Sequence, residues 1–337
     1  MTSTTIVSII TPSFNRADVI DETAQSVFAQ TYPYWEWMIV EDGSTDSSWE
    51  VLEKYAAKDK RVRIMKRERN PKGACPCRNI GVEFCVGNYV LFLDTDDLLE
   101  PFCLEQRVKA MEDNPELDFS IFPSLMFRYK PFDLNLWWNI DKPQSELVRQ
   151  FHQDAICQGT GVLWKKESFI RIGQWDEQLH LWQDIDLFLR AYIQNYQYKK
   201  FFNLLPDLHN RTMETSLSRG NFLAIEKQES RIIVIKRAVD LLNQLGKQEY
   251  KREARFMLVE IISGLVRTKK YSLADKLTGW GREQEVLLPE EIKAVKWLKY
   301  IYQLKLYKFN FGKKFILKMN RLFIAERTLG VLPFKEQ

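Results

Sequence analysis

The sequence has no apolar run of about 18 residues or more, the length at which a helix can cross a bilayer. Its first five residues include no basic residue and lead into no long apolar stretch, so we expect no signal peptide. Internal repeats and low-complexity segments are also absent. These absences argue against a membrane-spanning, secreted or repeat protein, and we expect a cytoplasmic location.

Cysteine is scarce and badly spaced for a structural role. The five cysteines are Cys75, Cys77, Cys85, Cys103 and Cys157. Cys75 and Cys77 are too close together for a zinc knuckle, and no second close pair of Cys or His completes four ligands. We therefore expect free thiols in a reducing compartment.

The charge is divided unevenly along an otherwise ordinary composition. Of 337 residues, 45% are hydrophobic and 28% charged, as in a globular protein of one large or two smaller domains. Residues 1–219 carry 25 Lys and Arg against 32 Asp and Glu, whereas residues 220–337 carry 24 against 13. An acidic front part and a basic back part indicate two parts with different partners.

The first part of the chain alternates between strand and helix patterns. Strands are predicted at Ile6–Thr11, Trp35–Glu41, Val62–Lys66, Tyr89–Leu93 and Phe119–Leu125. Helices are predicted at Asp18–Gln30, Ser47–Ala57, Pro76–Cys85, Pro101–Asp113, Leu163–Ile172 and Asp184–Tyr196. Residues 126–158 are irregular and aromatic, and helical patterns dominate from Asn221, with breaks near Gly246, Lys270, Gly279–Arg282 and Pro289. The alternation predicts a mostly parallel sheet flanked by helices.

Polar clusters follow three of the predicted strands, at Thr11–Asn15, Asp42–Asp46 and Asp94–Asp97. In sheets of this kind, ligands bind beyond the carboxyl ends of the strands. Asp94–Asp97 places three carboxylates within four residues, which repel one another without a cation. Carboxylate oxygens suit Mg²⁺ or Mn²⁺. The alternative is a solvated turn that caps the next helix.

Three further residues are candidates, each with a structural alternative. Asp42 could accept hydrogen bonds from a base or ribose, or simply cap a helix. Arg78, at a predicted helix start, could bind a diphosphate or lie on the surface. Asp184, flanked by Trp175 and Trp182, could be a general base with a raised pKa, or a helix cap.

Four motifs taken in order closely resemble those of family 2 glycosyltransferases, which are inverting enzymes with the GT-A fold. They are VSIITPSFNR at 7–16, IVEDGSTD at 39–46, RNIG at 78–81 and FLDTDD at 92–97. The resemblance covers about residues 5–220. We therefore predict a GT-A domain over 1–220, with its acceptor part at about 126–220, and a helical basic region over 221–337.

The resemblance implies roles on the nucleotide side of the site. Thr11, Pro12 and Asn15 lie in the segment that lines the nucleotide. Asp42 matches an aspartate that contacts the base, commonly uracil, and Arg78 matches a basic residue on the nucleotide side. The implied donor is a UDP-sugar.

The resemblance also implies a metal site and a catalytic base. Asp94 and Asp96 match the acidic pair beside ribose and metal, with Asp96 as the first choice for direct binding of Mn²⁺ or Mg²⁺. Asp184 matches the base. The predicted function is inverting transfer of a sugar from a nucleotide-sugar to a saccharide or lipid-linked saccharide, in surface polysaccharide or glycoconjugate synthesis.

Two departures from the family pattern leave an alternative open. Gln183 stands where the family has a glutamate, and Met213 stands where a histidine can help to bind metal. A thioether is a poor ligand for these ions, and His209 is a nearby substitute or an ordinary loop histidine. A catalytically impaired scaffold that binds nucleotide-sugar or carbohydrate is the alternative. A nucleotidyltransferase is disfavoured, because Thr11–Arg16 has neither the glycine nor the lysine of a phosphate loop.

Aromatic residues mark two other regions. Trp137, Trp138 and Trp182 are candidates for an acceptor wall, the alternative being a packed lid. Between Glu291 and Glu326 there are nine Lys and Arg and no carboxylate, interleaved with aromatics. Such a region can lie on an anionic membrane at its inner face, or it can be a packing domain with a solvated basic face. We expect no nucleic-acid partner, because the acidic front part fits a metal and nucleotide better.

Overall fold

The computed structural model describes residues 5–212 and 223–323, and within them the chain forms two sheets and a set of helices. The strands are β1 Val7–Ser13, β2 Trp35–Glu41, β3 Val62–Lys66, β4 Tyr89–Phe92, β5 Leu98–Leu99, β6 Phe119–Ile121, β7 Ser124–Phe127, β8 Leu136–Trp137, β9 Val162–Lys165, β10 Tyr198–Lys200 and β11 Leu208–Arg211. The helices are α1 Ile20–Phe28, α2 Ser48–Lys58, α3 Ala74–Phe84, α4 Cys103–Glu112, α5 Glu146–Phe151, α6 Lys166–Arg171, α7 Gln183–Ile193, α8 Ile225–Gln244, α9 Arg255–Arg267, α10 Tyr271–Glu283, α11 Pro289–Gln303 and α12 Asn310–Phe323.

The larger sheet of the described chain has seven strands in the order β10-β6-β9-β4-β1-β2-β3. All neighbours are parallel except β9, which runs antiparallel to both β4 and β6. Every residue of β2 is buried, and so are six of the seven residues of β1, counting all but Pro12. Strands covered on both faces need such continuous apolar runs. The predicted α/β fold with a mainly parallel sheet is confirmed.

A second sheet, in the order β5-β11-β7-β8, lies beyond the end of β4. It corrects the prediction of a single strand over Phe119–Leu125, because β6 belongs to the large sheet and β7 to the small one. The region 126–158 is also less irregular than predicted, since it contains β8 and α5. The small sheet brings β11 against the chain that follows the Asp94–Asp97 cluster.

Two predicted helix features were wrong. Leu163–Ile172 is not one helix: β9 comes first and α6 follows. A short apolar run cannot be assigned by periodicity alone, and here the space between β4 and β6 makes it a strand. Gly279–Arg282 does not break a helix but lies inside α10, where the missing side chain of Gly281 lets Leu258 and Leu287 pack close to the backbone.

The helical region packs directly against the helix that begins at Gln183. One cluster of buried apolar side chains runs from β1 through α7 to α8, α9 and α11. Arg237 of α8 donates to Asp186 and Asp176 over 2.6 Å each, and the Ser230 hydroxyl accepts from the His180 N–H at 2.9 Å. The helical region therefore supports the segment around Asp184. None of the described helices is long and apolar enough to cross a membrane.

A fully buried ion pair ties α4 to the chain before β11. Two guanidinium nitrogens of Arg107 donate to the Asp207 carboxylate over 2.7 and 2.9 Å, and a third donates to the Thr160 carbonyl at 2.8 Å. Neither side chain of the pair is exposed to solvent. Arg107 thus fixes the carbonyl of Thr160, the residue after Gly159.

We expect Asp207→Asn to lower the free energy of unfolding by about 3–5 kcal/mol, because it leaves a buried guanidinium without its counter-charge. Urea denaturation followed by circular dichroism measures the change. The matched control is Asp113→Asn, which breaks the exposed Lys109–Asp113 pair and should change stability by less than about 0.5 kcal/mol. Equal effects of the two substitutions would contradict the argument.

Candidate active site

The loops after β1 and β2 are tied together at the carboxyl edge of the large sheet. The Asn15 side-chain oxygen accepts from the Thr45 N–H, and the Asn15 N–H donates to the Ser44 hydroxyl, both at 2.8 Å. Asn15 adopts a left-handed conformation with φ 51°, which asparagine tolerates better than most residues. The two polar clusters predicted after these strands therefore form one surface.

Thr11 and Pro12 are placed differently within β1. The Thr11 side chain is completely buried, and its hydroxyl accepts from the Trp37 indole N–H at 2.8 Å. It therefore faces the core beneath the site and not the cleft. Pro12 is half-buried and is the residue of the two that a ligand can touch.

Asp42 is held by two donors. Arg67 Nε donates to one carboxylate oxygen, and the Gly73 N–H donates to the other at 2.9 Å. Only 8% of the residue is exposed. Each carboxylate oxygen keeps a second lone pair for a ligand. Sequence reasoning missed Arg67, which reaches Asp42 because β3 pairs with β2 and carries the chain to the same edge.

The three carboxylates after β4 have different surroundings. Asp97 is buried and accepts from the Asn210 amide at 2.8 Å and the Arg211 N–H at 3.0 Å, so it holds β11 in place. Asp94 and Asp96 are partly exposed. In the described part of the chain, no side chain is bonded to the Asp96 carboxylate. Burial and the neighbouring Asp94 raise the pKa of Asp96.

Two arginines that sequence reasoning did not single out face this carboxylate. Arg16 and Arg211 both oppose the rise in the pKa of Asp96 by their positive charge. Arg211 also donates to the Asp96 carbonyl at 3.1 Å and to Glu22 at 2.6 Å. Arg16 follows the first polar cluster directly, which was a usable signal, whereas the position of Arg211 depends on the small sheet.

Arg78 lies between Asp94 and Asp184. Its guanidinium donates to Asp94 at 2.6 Å and lies 5.0 Å from the ring centroid of Trp175. Its Nε is buried and has no hydrogen-bond partner in residues 5–212 and 223–323. Burial disfavours the charged form, but the carboxylates of Asp94 and Asp184 outweigh it and raise the pKa of Arg78.

Asp184 is the second residue of α7, and Trp182, the residue before the helix, turns the chain into it with a φ of 67°. One carboxylate oxygen accepts from the Gly159 N–H at 2.8 Å. Burial raises the pKa of Asp184, Arg78 opposes the rise, and Asp94 adds to it. The structure therefore brings Asp184, Arg78 and Asp94 into one electrostatic cluster. The preceding Gln183 donates to the Leu179 carbonyl at 2.9 Å and supports the helix start.

The His209 side chain is bonded within the protein and is not available as a metal ligand through Nε2. Its Nε2 bonds Glu100 at 2.6 Å, and its ring packs edge-on against Phe132 with centroids 4.7 Å apart. Among residues 5–212 and 223–323, no group of three or more His, Cys, Asp or Glu side chains could hold a metal. A cation here would have only Asp94 and Asp96 from this part of the protein. Met213 lies outside the described residues.

The three candidate tryptophans do not form one wall. Trp137, in β8, and Trp138 are half-buried, and the Trp138 N–H donates to the Ser124 carbonyl at 2.9 Å. Trp182 is only 7% exposed, and the Arg231 guanidinium lies 4.4 Å above the centroid of its indole ring. Trp182 thus packs against the helical region, whereas Trp137 and Trp138 lie on the small sheet.

The fold resembles that of solved glycosyltransferases. The S. aureus protein TarS, solved with UDP-GlcNAc, matches 90% of this chain and 92% of its own, with a TM-score of 0.59 and 16% identity. The mannosyltransferase PcManGT of Pyrobaculum calidifontis, solved with GDP-Man and Mn²⁺, matches 94% of this chain and 84% of its own, with a TM-score of 0.52 and 15% identity. The fold is therefore that of the GT-A glycosyltransferases.

Sequence comparison gives the family. The family model described as glycosyl transferase family 2 matches residues 8–173. The TuaG protein of Bacillus subtilis, named for teichuronic acid biosynthesis, is 42% identical over 106 residues, which are 32% of this chain and 42% of TuaG. GlyG of Streptococcus pneumoniae is 28% identical over 178 residues, 49% of this chain and 58% of GlyG. The chain thus spans about half the length of the curated relatives it matches. Residues 8–173 form a domain of glycosyl transferase family 2.

Proposed function

We propose that the chain transfers a sugar from a UDP-sugar to a saccharide or lipid-linked saccharide, with inversion, in the synthesis of a surface polysaccharide. The observation that carries the proposal is the cluster of Asp94, Arg78 and Asp184 at the carboxyl edge of the sheet. The Arg78 guanidinium between the Asp94 and Asp184 carboxylates fits a site that must bind a diphosphate beside a general base. The name of TuaG, which refers to teichuronic acid biosynthesis, supports the acceptor class.

The nucleotide lies on the surface formed by the loops after β1 and β2. Pro12 and Asn15 line it, and Asp42, held by Arg67 and Gly73, accepts from the base. The solved relatives carry two different bases, UDP-GlcNAc in TarS and GDP-Man in PcManGT. Uracil is favoured here by the family match of Asp42. Thr11 supports this surface from below through Trp37.

The donor set of the acidic loop fits Mn²⁺ or Mg²⁺. Asp94 and Asp96 are partly exposed carboxylates; burial and then repulsion by Asp94 raise the pKa of Asp96, and a divalent cation relieves such repulsion. Asp96 would hold the ion, with Asp94 beside it and the remaining ligands from the donor phosphates. When bound, the ion supplies Lewis-acid stabilisation of the leaving diphosphate. PcManGT was solved with Mn²⁺.

Asp184 accepts the proton of the acceptor hydroxyl. The Gly159 N–H fixes one carboxylate oxygen and leaves the other to take the proton. Arg78 favours the ionised form of Asp184 by opposing the rise in its pKa, and it would bind the donor diphosphate in exchange for Asp94. The hydroxyl oxygen then attacks the anomeric carbon from the face opposite the leaving group, which gives inversion.

The acceptor lies on the side of the small sheet, where Trp137 and Trp138 offer half-buried rings. We assign residues 1–220 to the transferase domain, with the acceptor part at about 126–220, and 221–337 to a helical region that supports α7. A lipid-linked acceptor would place the protein at the inner face of the membrane.

A donor screen tests the proposal. Release of UDP or GDP is measured with a panel of UDP- and GDP-sugars, with Mn²⁺ and with a chelator, and thermal shift reports binding without an acceptor. We expect a UDP-sugar to raise the melting temperature only when Mn²⁺ is present. NMR of the product should show an inverted anomeric configuration. If no nucleotide-sugar shifts the melting temperature or is turned over, the chain is not this transferase.

We expect Arg78→Gln to lower kcat/KM by about 10–100-fold, because a hydrogen bond to a charged group is worth about 1.5–3 kcal/mol. Loss of the guanidinium charge also lets the pKa of Asp184 rise further, because Arg78 opposes that rise in the wild type. The acid limb of the pH–rate profile should therefore move to higher pH. Arg78→Lys keeps the charge and should leave that limb in place. If the acid limb does not move in the glutamine variant, Arg78 does not set the pKa of the catalytic base.

A further inference from the structure

The outer face of α11 and α12 combines exposed rings with lysines, and we call it the basic–aromatic face. On and after α11 its exposed residues are Lys293, Lys296, Trp297, Tyr300, Leu304 and Phe309. On α12 they are Phe311, Lys313, Lys314, Leu317 and Lys318. Within each helix these residues recur at spacings of three and four, so they share one side of the helix. The opposite side, with Leu298 and Met319, is buried in the core.

The large apolar side chains of this face are exposed to solvent, and four of the rings form two pairs. Trp297 is 53% exposed, Phe311 59% and Leu304 65%. Trp297 and Tyr300 have ring centroids 6.3 Å apart, and so do Phe309 and Phe311. Scattered single apolar residues need no explanation, but paired exposed rings on two neighbouring helices indicate an interaction surface.

The charge of the face has one sign. No carboxylate occurs from residue 292 to residue 325, a stretch with nine Lys and Arg. Within the described residues, the one carboxylate that pairs with a lysine of α11 or α12 is Asp275, which bonds Lys299 at 2.6 Å. Lys299 is not part of the basic–aromatic face. The face therefore presents unneutralised positive charge beside exposed rings.

We propose that the basic–aromatic face docks on an anionic phospholipid surface. Rings favour the interface between headgroups and acyl chains, and lysines favour the phosphates above it. Lysine and exposed aliphatic Leu304 and Leu317 together fit a lipid surface better than a nucleic acid, where arginine contacts and a polar groove are expected. The docking does not depend on the proposed function. One consequence does depend on it: α11 packs on α9, and α8 on α7, so docking would hold the transferase domain at the membrane that carries a lipid-linked acceptor.

Flotation of the full chain with vesicles tests the proposal, without donor or acceptor. One set of vesicles contains phosphatidylcholine alone and the other phosphatidylcholine with phosphatidylglycerol. We expect binding to the anionic set only, and release at high salt. Lys313→Gln with Lys314→Gln should lower the partition coefficient by about 30-fold, and Trp297→Gln with Phe311→Gln by about tenfold or more.

Matched controls remove the same groups elsewhere. Lys54→Gln with Lys60→Gln and, separately, Phe84→Gln change exposed residues of the front part and should leave binding unchanged. Thermal melting checks that every variant is folded. Equal binding to both vesicle sets, no binding to either, or a stable dimer that Trp297→Gln dissociates and that binds no vesicles would each overturn the proposal. Sugar transfer is not read in this assay, so an inactive chain that floats with anionic vesicles supports docking and counts only against the proposed function.

Discussion

Asp184→Asn should lower kcat by about 10²–10⁴-fold and leave binding of UDP nearly unchanged. The asparagine side chain can still accept from the Gly159 N–H, which Asp184 accepts at 2.8 Å, but it cannot take a proton from the acceptor. A positioned general base contributes a factor of this size. Initial rates of UDP release under saturating donor measure kcat, and thermal shift with UDP and Mn²⁺ measures binding.

The pH dependence separates loss of the base from a local distortion. Asp184 works in its ionised form, and burial raises its pKa above the usual aspartate range, with Asp94 adding to the rise and Arg78 opposing it. Activity of the wild type should therefore fall on acidification at a pH above that range. The asparagine variant should show no such limb in its residual activity. Asp184→Glu keeps a carboxylate and should retain more activity than the asparagine variant. If the asparagine and glutamate variants lose activity equally and the acid limb of the pH profile remains in both, Asp184 has only a structural role.

The inner strands of the large sheet could be predicted because they are buried on both faces. β1 and β2 come from apolar runs bounded by turn residues, and no other element competes for them. β9 could not be predicted in the same way. Its Val162–Lys165 run is apolar enough for strand or helix, and only the slot between β4 and β6 decides. The division of Phe119–Phe127 into β6 and β7 likewise depends on the second sheet, which has no local signal.

The candidate site shows the same limit. Asp94 and Asp184 follow from local rules, since one ends an apolar strand and the other begins a helix. That Arg78 lies between them depends on how α3 packs against Trp175, which no local pattern encodes. The hydrogen bond between His209 and Glu100 could not be predicted either, because only the pairing of β5 with β11 brings the two residues together. Residue types that carry chemistry are visible in the sequence, whereas their partners are set by the fold.

Asp96→Asn should remove the response to Mn²⁺ without weakening the fold. The ionised Asp96 is disfavoured in the folded protein, because burial and Asp94 raise its pKa. A carboxyl with a raised pKa destabilises the fold above that pKa, so a neutral asparagine should leave the melting temperature in chelator equal or higher. UDP with Mn²⁺ at about 100 times Kd stabilises by about 2.7 kcal/mol, and the variant should lose most of that shift. We expect kcat/KM to fall by about 10²-fold or more, since an ion that stabilises a leaving diphosphate contributes several kcal/mol.

Asp97→Asn provides the contrast, because the neighbouring carboxylate is buried and bonded within the protein. It accepts from Asn210 at 2.8 Å and from the Arg211 N–H at 3.0 Å. Burial and the carboxylates of Asp96 and Asp94 raise the pKa of Asp97 as well, but Asp97, unlike Asp96, has partners in the protein. An amide there presents a donor to the Asn210 amide, and we expect this lost bond to dominate and to lower the free energy of unfolding by about 1–3 kcal/mol. The residual folded protein should still gain stability from UDP with Mn²⁺. Asp96 and Asp97 are adjacent, yet Asp96→Asn should lose the Mn²⁺ response and keep its stability, whereas Asp97→Asn should lose stability and keep the Mn²⁺ response. A Mn²⁺ response that survives in Asp96→Asn and disappears in Asp97→Asn would move the ion to the buried carboxylate and contradict the assignment made from exposure.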